Sequence, residues 1–513
     1  MTEPPRKLDG ALHVLRTAGL LDESRGTGDV SVWKETYVSG ASQDSRTTAA
    51  GDLFLAWQGV ERDAHAFVQE AASAGARAAV VERRVPDTGI PQLVVTDGRR
   101  AGALLANWVF GSPWKELFLV GVTGTNGKTT TSLLARHLLS RQRNSAALGT
   151  LGLMGPDGTL RPGGSGLTTP GPVDLARSLR ALVEEGVEAV VMEASSHALQ
   201  QCRLDGVRFD AVVFTNLSQD HLDYHPDLAS YREAKLHLTT LRKDGGVTVL
   251  NGDDGQWARV AREMPGAWVT TQGGGQEAPD WLSSREGVRA SHVQLDAQGA
   301  RFHLHHGGQT EEVSLPLPGG FNVENALLAG AVALIAGSSL TEVAQGLSRA
   351  PQIPGRMEVV SRSPVLTLVD YAHTPDALDR VLSTLRPLVT GRLIVVFGAG
   401  GDRDRTKRPA MGLAAARWAD RVVVTSDNPR TEDPETILED IVQGIPQAAT
   451  QTVLRIVDRR EAIRRALDDA RPQDAVLVAG KGHETAQVVG TERRPFDDRM
   501  VLRELLGVGG GVT

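Results

Sequence analysis

Short β-branched and apolar runs alternate along the chain with longer stretches whose apolar positions recur at helical spacing. Ala78 to Val81 and Leu93 to Val95 read as strands in the first hundred residues. Phe118 to Val122, Ala189 to Met192 and Ala211 to Phe214 follow, and Leu393 to Phe397, Val422 to Val424 and Ala475 to Ala479 complete the series. Such alternation predicts an α/β fold with mainly parallel sheets. Two breaks interrupt it. Gly111-Ser112-Pro113 ends a helical pattern just before the Phe118 run, and Pro351-Gln352-Ile353-Pro354-Gly355 precedes a new strand series. The expected domains are residues 1–112, 113–352 and 353–513, in line with the three suggested by a length of 513 residues. No fixed-period repeat is visible, and the Gly-rich stretch Gly507 to Gly511 is the one low-complexity block.

Charge and composition narrow the function. Lys and Arg number 55 against 62 Asp and Glu, a net charge of −7, which argues against a surface built around a nucleic-acid backbone. Aromatics make up 4% of the chain, too few for a base-stacking platform. A lone cysteine, Cys202, has no partner for an internal disulfide and fits a reducing compartment. The opening residues lead into no apolar stretch of signal-peptide type. The longest small-apolar run, Ala326 to Ala336, is shorter than the roughly 18–20 residues that span a bilayer. The expectation is a cytoplasmic multidomain protein, either an enzyme or a nucleotide switch.

The strongest chemical signal is Val120 to Thr131, Val-Gly-Val-Thr-Gly-Thr-Asn-Gly-Lys-Thr-Thr-Thr, between an apolar strand and the helical run Ser132 to Leu139. A Gly-rich strand-to-helix turn lets backbone N–H groups close around phosphate oxygens at a helix N-terminus. Gly124, Thr125, Asn126, Gly127, Lys128, Thr129 and Thr130 form the expected ATP loop. Lys128 reaches for the β/γ-phosphates and Thr129 offers a hydroxyl to Mg²⁺. Val122 stands where the strict Walker pattern has its first Gly, yet the Gly-Lys-Thr core and its context remain. Glu193 ends the Ala189 run, where a carboxylate can serve the same metal. Asp220, His221, Asp223 and His225 cluster after the Ala211 run, without the His-Glu-x-x-His or Cys pattern of a zinc site. Gly398 to Gly401 follows a strand but lacks the Gly-x-Gly-x-x-Gly spacing of dinucleotide binders.

From about residue 40 to 500 the chain resembles the Mur ligase family of peptidoglycan synthesis. The phosphate loop, the Glu193 strand end and the Asp220-His221 segment occur in the family's order. They are followed by Tyr231-Arg232-Glu233-Ala234-Lys235, Asn322-Val323-Glu324-Asn325, Pro354-Gly355-Arg356-Met357-Glu358 and Asp370-Tyr371-Ala372-His373-Thr374-Pro375. Gly401-Asp402-Arg403-Asp404, Asp427-Asn428-Pro429-Arg430 and Gly480-Lys481-Gly482-His483-Glu484 continue the match. The likeness is greatest to members that add the third residue to UDP-N-acetylmuramoyl-L-alanyl-D-glutamate. It implies an N-terminal α/β uridine-binding domain, a central P-loop ATPase domain and a C-terminal Rossmann-like domain for the incoming amino acid.

The resemblance assigns Ser45, Thr168, Thr169, Ser195, Gln201 and Arg203 to the UDP-muramoyl dipeptide. Asn322 and Asn325 go to adenine, Arg356 to the ATP phosphates and Asp370 to ribose, with His373 nearby. Thr129 and Glu193 would hold one Mg²⁺. His221 and a CO₂-derived carbamate on Lys235 would hold a second, although Lys235 taken alone reads as a solvated helix lysine. Arg403, Asp427, Asn428, Pro429, Arg430, Gly480 and Glu484 would receive the amino acid. Arg430 offers a guanidinium fork to a distal carboxylate, which favours meso-diaminopimelate over L-lysine or L-ornithine. The implied reaction is ATP-dependent amide formation through an acyl phosphate, carried out by a cytoplasmic monomer. A folylpolyglutamate-synthase-like ligase and a non-catalytic muropeptide or nucleotide sensor are the alternatives. Cys202 lies between two substrate positions but reads as a small hydrophobe. Cys202→Ala is expected to keep turnover within about threefold in a steady-state assay, and inactivation would refute that reading.

Overall fold

The computed structural model describes residues 5–22, 30–59, 62–161, 166–218, 220, 224–273, 285–447 and 452–507. Its contacts divide into two compact units. One comprises residues 1–289, 305–309 and 324–343, and the other 290–304, 310–323 and 344–513.

Besides a short pairing of Arg6–Lys7 with Tyr37–Val38, the described residues of the first unit form two main sheets. The smaller is fully parallel, in the order Gly40–Ser42, Asp52–Leu55, Ala78–Val81, Gln92–Val94. Side chains alternate across a strand, so Ala78 and Val80 enter a core with Leu12, Leu15 and Leu105 from the helices Asp9–Thr17 and Gly98–Val109. Ala79 and Val81 face the opposite core, with Phe54 and Val68. Burial on both faces explains why this run is continuously apolar rather than alternating.

The larger sheet has a parallel centre in the order Ser145–Gly149, Ala189–Glu193, Phe118–Thr123, Phe209–Phe214, Arg242–Asn251, Trp268–Thr271. Phe118–Thr123 comes first in the chain but lies between Ala189–Glu193 and Phe209–Phe214. The order therefore reverses beside it, which makes the carboxyl end of this strand the topological switch point of the sheet. The phosphate loop emerges there. The helix Lys128–Leu139 buries Leu134 and Leu138 beneath the sheet. The helix Pro172–Glu184 begins on a proline, whose fixed φ suits a first helical position. In Leu228–Thr240, the side chain of Asp227 accepts from the Ser230 N–H and caps the first turn.

The second unit holds a six-stranded sheet ordered Glu358–Ser361, Leu366–Asp370, Ala475–Ala479, Leu393–Phe397, Arg421–Val424, Val453–Arg455. The first pair is antiparallel and the remainder parallel. Ala475, Leu477 and Ala479 face one core, and Val476 and Val478 the other.

The sheets match the parallel α/β expectation, and every predicted strand is present within a residue or two. The strands Gly299–His306 and Gln309–Leu315 lie outside the runs that predicted strands. In the first, buried Ala300, Phe302 and Leu304 alternate with exposed Arg301 and His303, so no continuous apolar run marks it. The Ala326 to Ala336 stretch forms most of the helix Gly320–Ile335. Its residues are buried nearly all round, which accounts for the missing polar face. Among the described residues no helix is long and apolar enough to cross a membrane.

Within the first unit, Gly206 lies against the Ala103 carbonyl oxygen and Asn107 Nδ2 of the helix Gly98–Val109. Beside it the Arg100 guanidinium donates to the Asp205 carboxylate at 3.1 Å. A methyl group at Gly206 has no room. Gly206→Ala is expected to lower stability by about 1–3 kcal/mol in denaturant unfolding, and an unchanged midpoint would contradict this packing.

Candidate active site

Two positive-φ glycines shape the phosphate loop, Gly124 at +149° and Gly127 at +83°. A Cβ at Gly124 would collide with Thr215 Oγ1, and one at Gly127 with Asn325 Oδ1. The segment after Phe209–Phe214 grips the loop from the side. Asn216 accepts from the Asn126 N–H through its side chain at 2.9 Å and from the Thr125 N–H through its carbonyl at 2.8 Å. Thr215 Oγ1 donates to the Asn126 carbonyl at 2.5 Å. Lys128 Nζ arches back over the loop, donating to the carbonyls of Gly124 at 3.0 Å and Thr125 at 2.8 Å. Thr131 Oγ1 donates to Asn325 Oδ1 at 3.1 Å, bringing that predicted adenine residue against the loop. Asn322 Nδ2 instead donates to the Pro318 carbonyl at 2.8 Å.

Glu193 ends its strand 2% exposed. Thr129 Oγ1 donates to its Oε1 at 2.9 Å, as does the Thr150 N–H at 2.9 Å, and Thr150 Oγ1 donates to Oε2 at 3.0 Å. Thr150 was not among the predicted site residues. It follows Ser145–Gly149, and only the strand order places it beside Glu193. The Thr150 hydroxyl lies 3.2 Å from that of Thr168, and Thr169 Oγ1 donates to the Glu193 carbonyl at 2.8 Å. The Ser195 N–H donates to Thr169 Oγ1 at 3.0 Å, and Arg203 donates to the Thr169 carbonyl at 3.0 Å and to Gln201 Oε1 at 2.6 Å. Five of the six predicted dipeptide residues thus form one connected group with Glu193. Ser45 stands apart, buried at the start of a short turn of helix after Gly40–Ser42.

Lys235 is 1% exposed, which corrects the reading of a solvated lysine. Its Nζ donates to the Gly124 carbonyl at 2.8 Å and lies 4.2 Å from the centre of the Tyr231 ring. Burial, reinforced by Lys128 and opposed by Asp220, pushes its pKa well below the usual lysine value. His221 lies outside the described residues. Cys202 adopts a left-handed φ of +56°, and burial together with Asp205 raises its thiol to about 11.

The second unit carries the other predicted residues. Asp370 is buried, and its oxygens accept from the Met357 N–H at 2.7 Å and the Ala372 N–H at 2.8 Å. Burial raises its pKa, against the pull of Arg356. The Arg356 guanidinium stacks 4.6 Å from the Tyr371 ring centre. That ring also meets His373 at 4.6 Å and His483 at 5.0 Å. Burial, with Arg356 close by, lowers His483 to about 4.

Asn428 Nδ2 donates to Glu484 Oε2 at 2.9 Å, while its Oδ1 accepts from Lys481 Nζ at 3.1 Å and the Val488 N–H at 2.9 Å. Fully buried Lys481 also bonds Glu484 at 2.9 Å. Burial opposes the Glu484 carboxylate, but Lys481 and Asn428 outweigh it and its pKa falls. Asp427 Oδ2 is buried with no hydrogen-bond partner among the described residues. It faces Gly480, whose φ is +112° and where a Cβ would approach it to 2.6 Å. Pro429 is buried, Arg430 donates to the Gly401 carbonyl at 2.7 Å, and Arg403 is exposed.

Comparison with known proteins identifies the family. Residues 122–333 match the Mur ligase middle domain, and residues 355–482 match the Mur ligase glutamate ligase domain. A UDP-N-acetylmuramoyl-L-alanyl-D-glutamate–2,6-diaminopimelate ligase of Gloeobacter violaceus is 44% identical over 475 residues, covering 91% of this chain and 94% of its own. A solved structure of a ligase with the same description is 36% identical with a TM-score of 0.66, covering 93% of this chain and 96% of that one. Folylpolyglutamate synthase of Mycobacterium tuberculosis, solved with ADP and AMPPCP, has a TM-score of 0.61 over 80% of this chain and 100% of that one. At 18% identity it shares the fold alone. Two matched domains in sequence, joined by a relative aligned along nine-tenths of the chain, establish that it belongs to the Mur ligase family.

Proposed function

We propose that the chain is an ATP-dependent ligase that joins a diamino acid to the D-glutamate of UDP-N-acetylmuramoyl-L-alanyl-D-glutamate in cytoplasmic peptidoglycan precursor synthesis. Meso-diaminopimelate is the favoured acceptor. The observation that carries this reading is the connected group running from the phosphate loop through Thr129, Glu193 and Thr169 to Ser195 and Arg203. It links the ATP residues to the residues assigned to the UDP-muramoyl dipeptide. Residues 1–112 would hold the UDP-sugar, 113–352 ATP and 353–513 the amino acid, in a monomer. The 44% identity to a diaminopimelate ligase favours this over a folate ligase, which shares only the fold, and over a sensor, which has no need of an intact Lys128, Glu193 and Lys235.

A carboxylate is a poor electrophile because expelling oxide is prohibitive. Its oxygen therefore attacks the γ-phosphorus of ATP, forming an acyl phosphate and releasing ADP. The amine then adds to the acyl carbon, and the tetrahedral species loses phosphate and a proton to leave the amide. Two anions must meet, so charge screening and orientation are the main tasks. Lys128 and the first-turn amides of Lys128–Leu139 serve the phosphates. Arg203, fixed by Gln201 and the Thr169 carbonyl, serves the UDP-muramoyl dipeptide.

Thr129 and Glu193 present hard oxygen donors 2.9 Å apart, a donor set that fits Mg²⁺. An ion held there would supply positive charge to a triphosphate in the loop. Lys235 suits a carbamate because burial favours its neutral amine. If the nitrogen lone pair bonded the carbon of CO₂ with loss of a proton, Lys235 would become an anionic oxygen donor that, with His221, would be suited to hold a second Mg²⁺.

Lys235→Ala is expected to lower turnover by about a hundredfold or more, with partial rescue by a short-chain carboxylate. Full activity without rescue would exclude the carbamate. In parallel assays of phosphate release, meso-diaminopimelate is expected to exceed L-lysine and L-ornithine in kcat/KM. If it is much the poorest of the three, Arg430 does not bind a distal carboxylate.

A further inference from the structure

The two segments assigned to the amino acid leave different strands. Asp427-Asn428-Pro429-Arg430 follows Arg421–Val424, and Gly480-Lys481-Gly482-His483-Glu484 follows Ala475–Ala479. In the sheet these strands are separated by Leu393–Phe397, so no backbone ladder joins them. Arg459, at the start of the helix Arg459–Asp469, reaches both. Its Nη1 donates to the Ser426 carbonyl at 3.2 Å, one residue before Asp427. Its Nη2 donates to the Ala479 carbonyl at 2.9 Å, one residue before Gly480. The same guanidinium is aligned by Asp498, with Nε to Oδ1 at 2.8 Å and Nη2 to Oδ2 at 2.7 Å. Both partners of this ion pair are fully buried.

A buried ion pair is a weak source of stability, because desolvation offsets much of the attraction. Its distinctive property here is geometric. A planar guanidinium with five donors can bond two carbonyls and a carboxylate in fixed directions, whereas an ammonium offers a point charge without that fork. Asp427 is next to one of the clamped carbonyls, and Gly480, which faces it, is next to the other. Beneath the direct Asn428–Glu484 and Asn428–Lys481 bonds, the clamp fixes the backbone carbonyls from which Asp427 and Gly480 extend.

We infer that Arg459 is a positioning residue for the amino-acid site, tying the Asp427 and Gly480 segments to a single buried guanidinium braced by Asp498. The inference rests on the proposed assignment of those segments to the diamino acid. The direct test is Arg459→Lys in the full-length enzyme, assayed with each of the three substrates varied in turn. KM for the diamino acid is expected to rise about tenfold or more, with KM for ATP and for the UDP-muramoyl dipeptide within about twofold. Asp498→Asn, which retains the arginine, should give the same split in smaller measure. An unchanged diamino acid KM in a folded Arg459→Lys enzyme, or an equal rise in all three constants, would overturn the inference.

Absence of saturable dependence on any diamino acid in the unaltered enzyme would instead defeat the proposed function. Native-state hydrogen exchange of the unaltered protein tests the tie apart from activity and from the folding of any variant. Amides of residues 426–428, 430 and 479–484 should open with one common free energy. Independent opening of the two segments would overturn the tie.

Discussion

The constraint on which the phosphate site depends is that a backbone loop must be held open from outside. Gly124 and Gly127 let the chain turn, but their φ values alone leave it many conformations. Thr215 and Asn216 remove that freedom by taking the amides and a carbonyl of Thr125 and Asn126. This grip exists because the reversed strand order puts the end of Phe209–Phe214 directly beside the loop. The sheet topology is thus part of the binding chemistry. The loop can meet phosphate without first paying to become ordered.

The same loop manages an electrostatic conflict. Lys128 and Lys235 both donate to the Gly124 carbonyl, so two amines of like potential charge converge on one oxygen. Burial resolves the conflict by disfavouring the charged form of Lys235. A neutral Lys235 amine is what the proposed carbamate requires, and Lys128 is left for the proposed phosphate contact. Glu193, with a threonine hydroxyl on each of its oxygens, stays oriented between the phosphate loop and Thr168–Thr169.

Much of this was legible in the chain. Continuous apolar runs marked the strands buried on both faces, and Gly-Thr-Asn-Gly-Lys-Thr marked the loop, because each is a local pattern. Thr150 was not legible, since its contact with Glu193 requires knowing which strands are neighbours. The half-exposed Gly299–His306 escaped because its alternation is not an apolar run. Two buried cations escaped for a subtler reason. Lys235 occupies the buried stripe of its helix with Tyr231 and Leu238, at spacings of four and three. Arg459 does the same with Ala462, Ile463 and Ala466. A charged residue in register with an apolar stripe was the available signal.

The lone thiol has a practical consequence. With its pKa raised to about 11, Cys202 carries little thiolate at neutral pH, and thiolate is the form that reacts with alkylating and oxidising reagents. The polypeptide therefore presents a nearly silent background to thiol chemistry. A cysteine introduced on the exposed surface would become the dominant attachment point for a probe, with the native sequence otherwise intact.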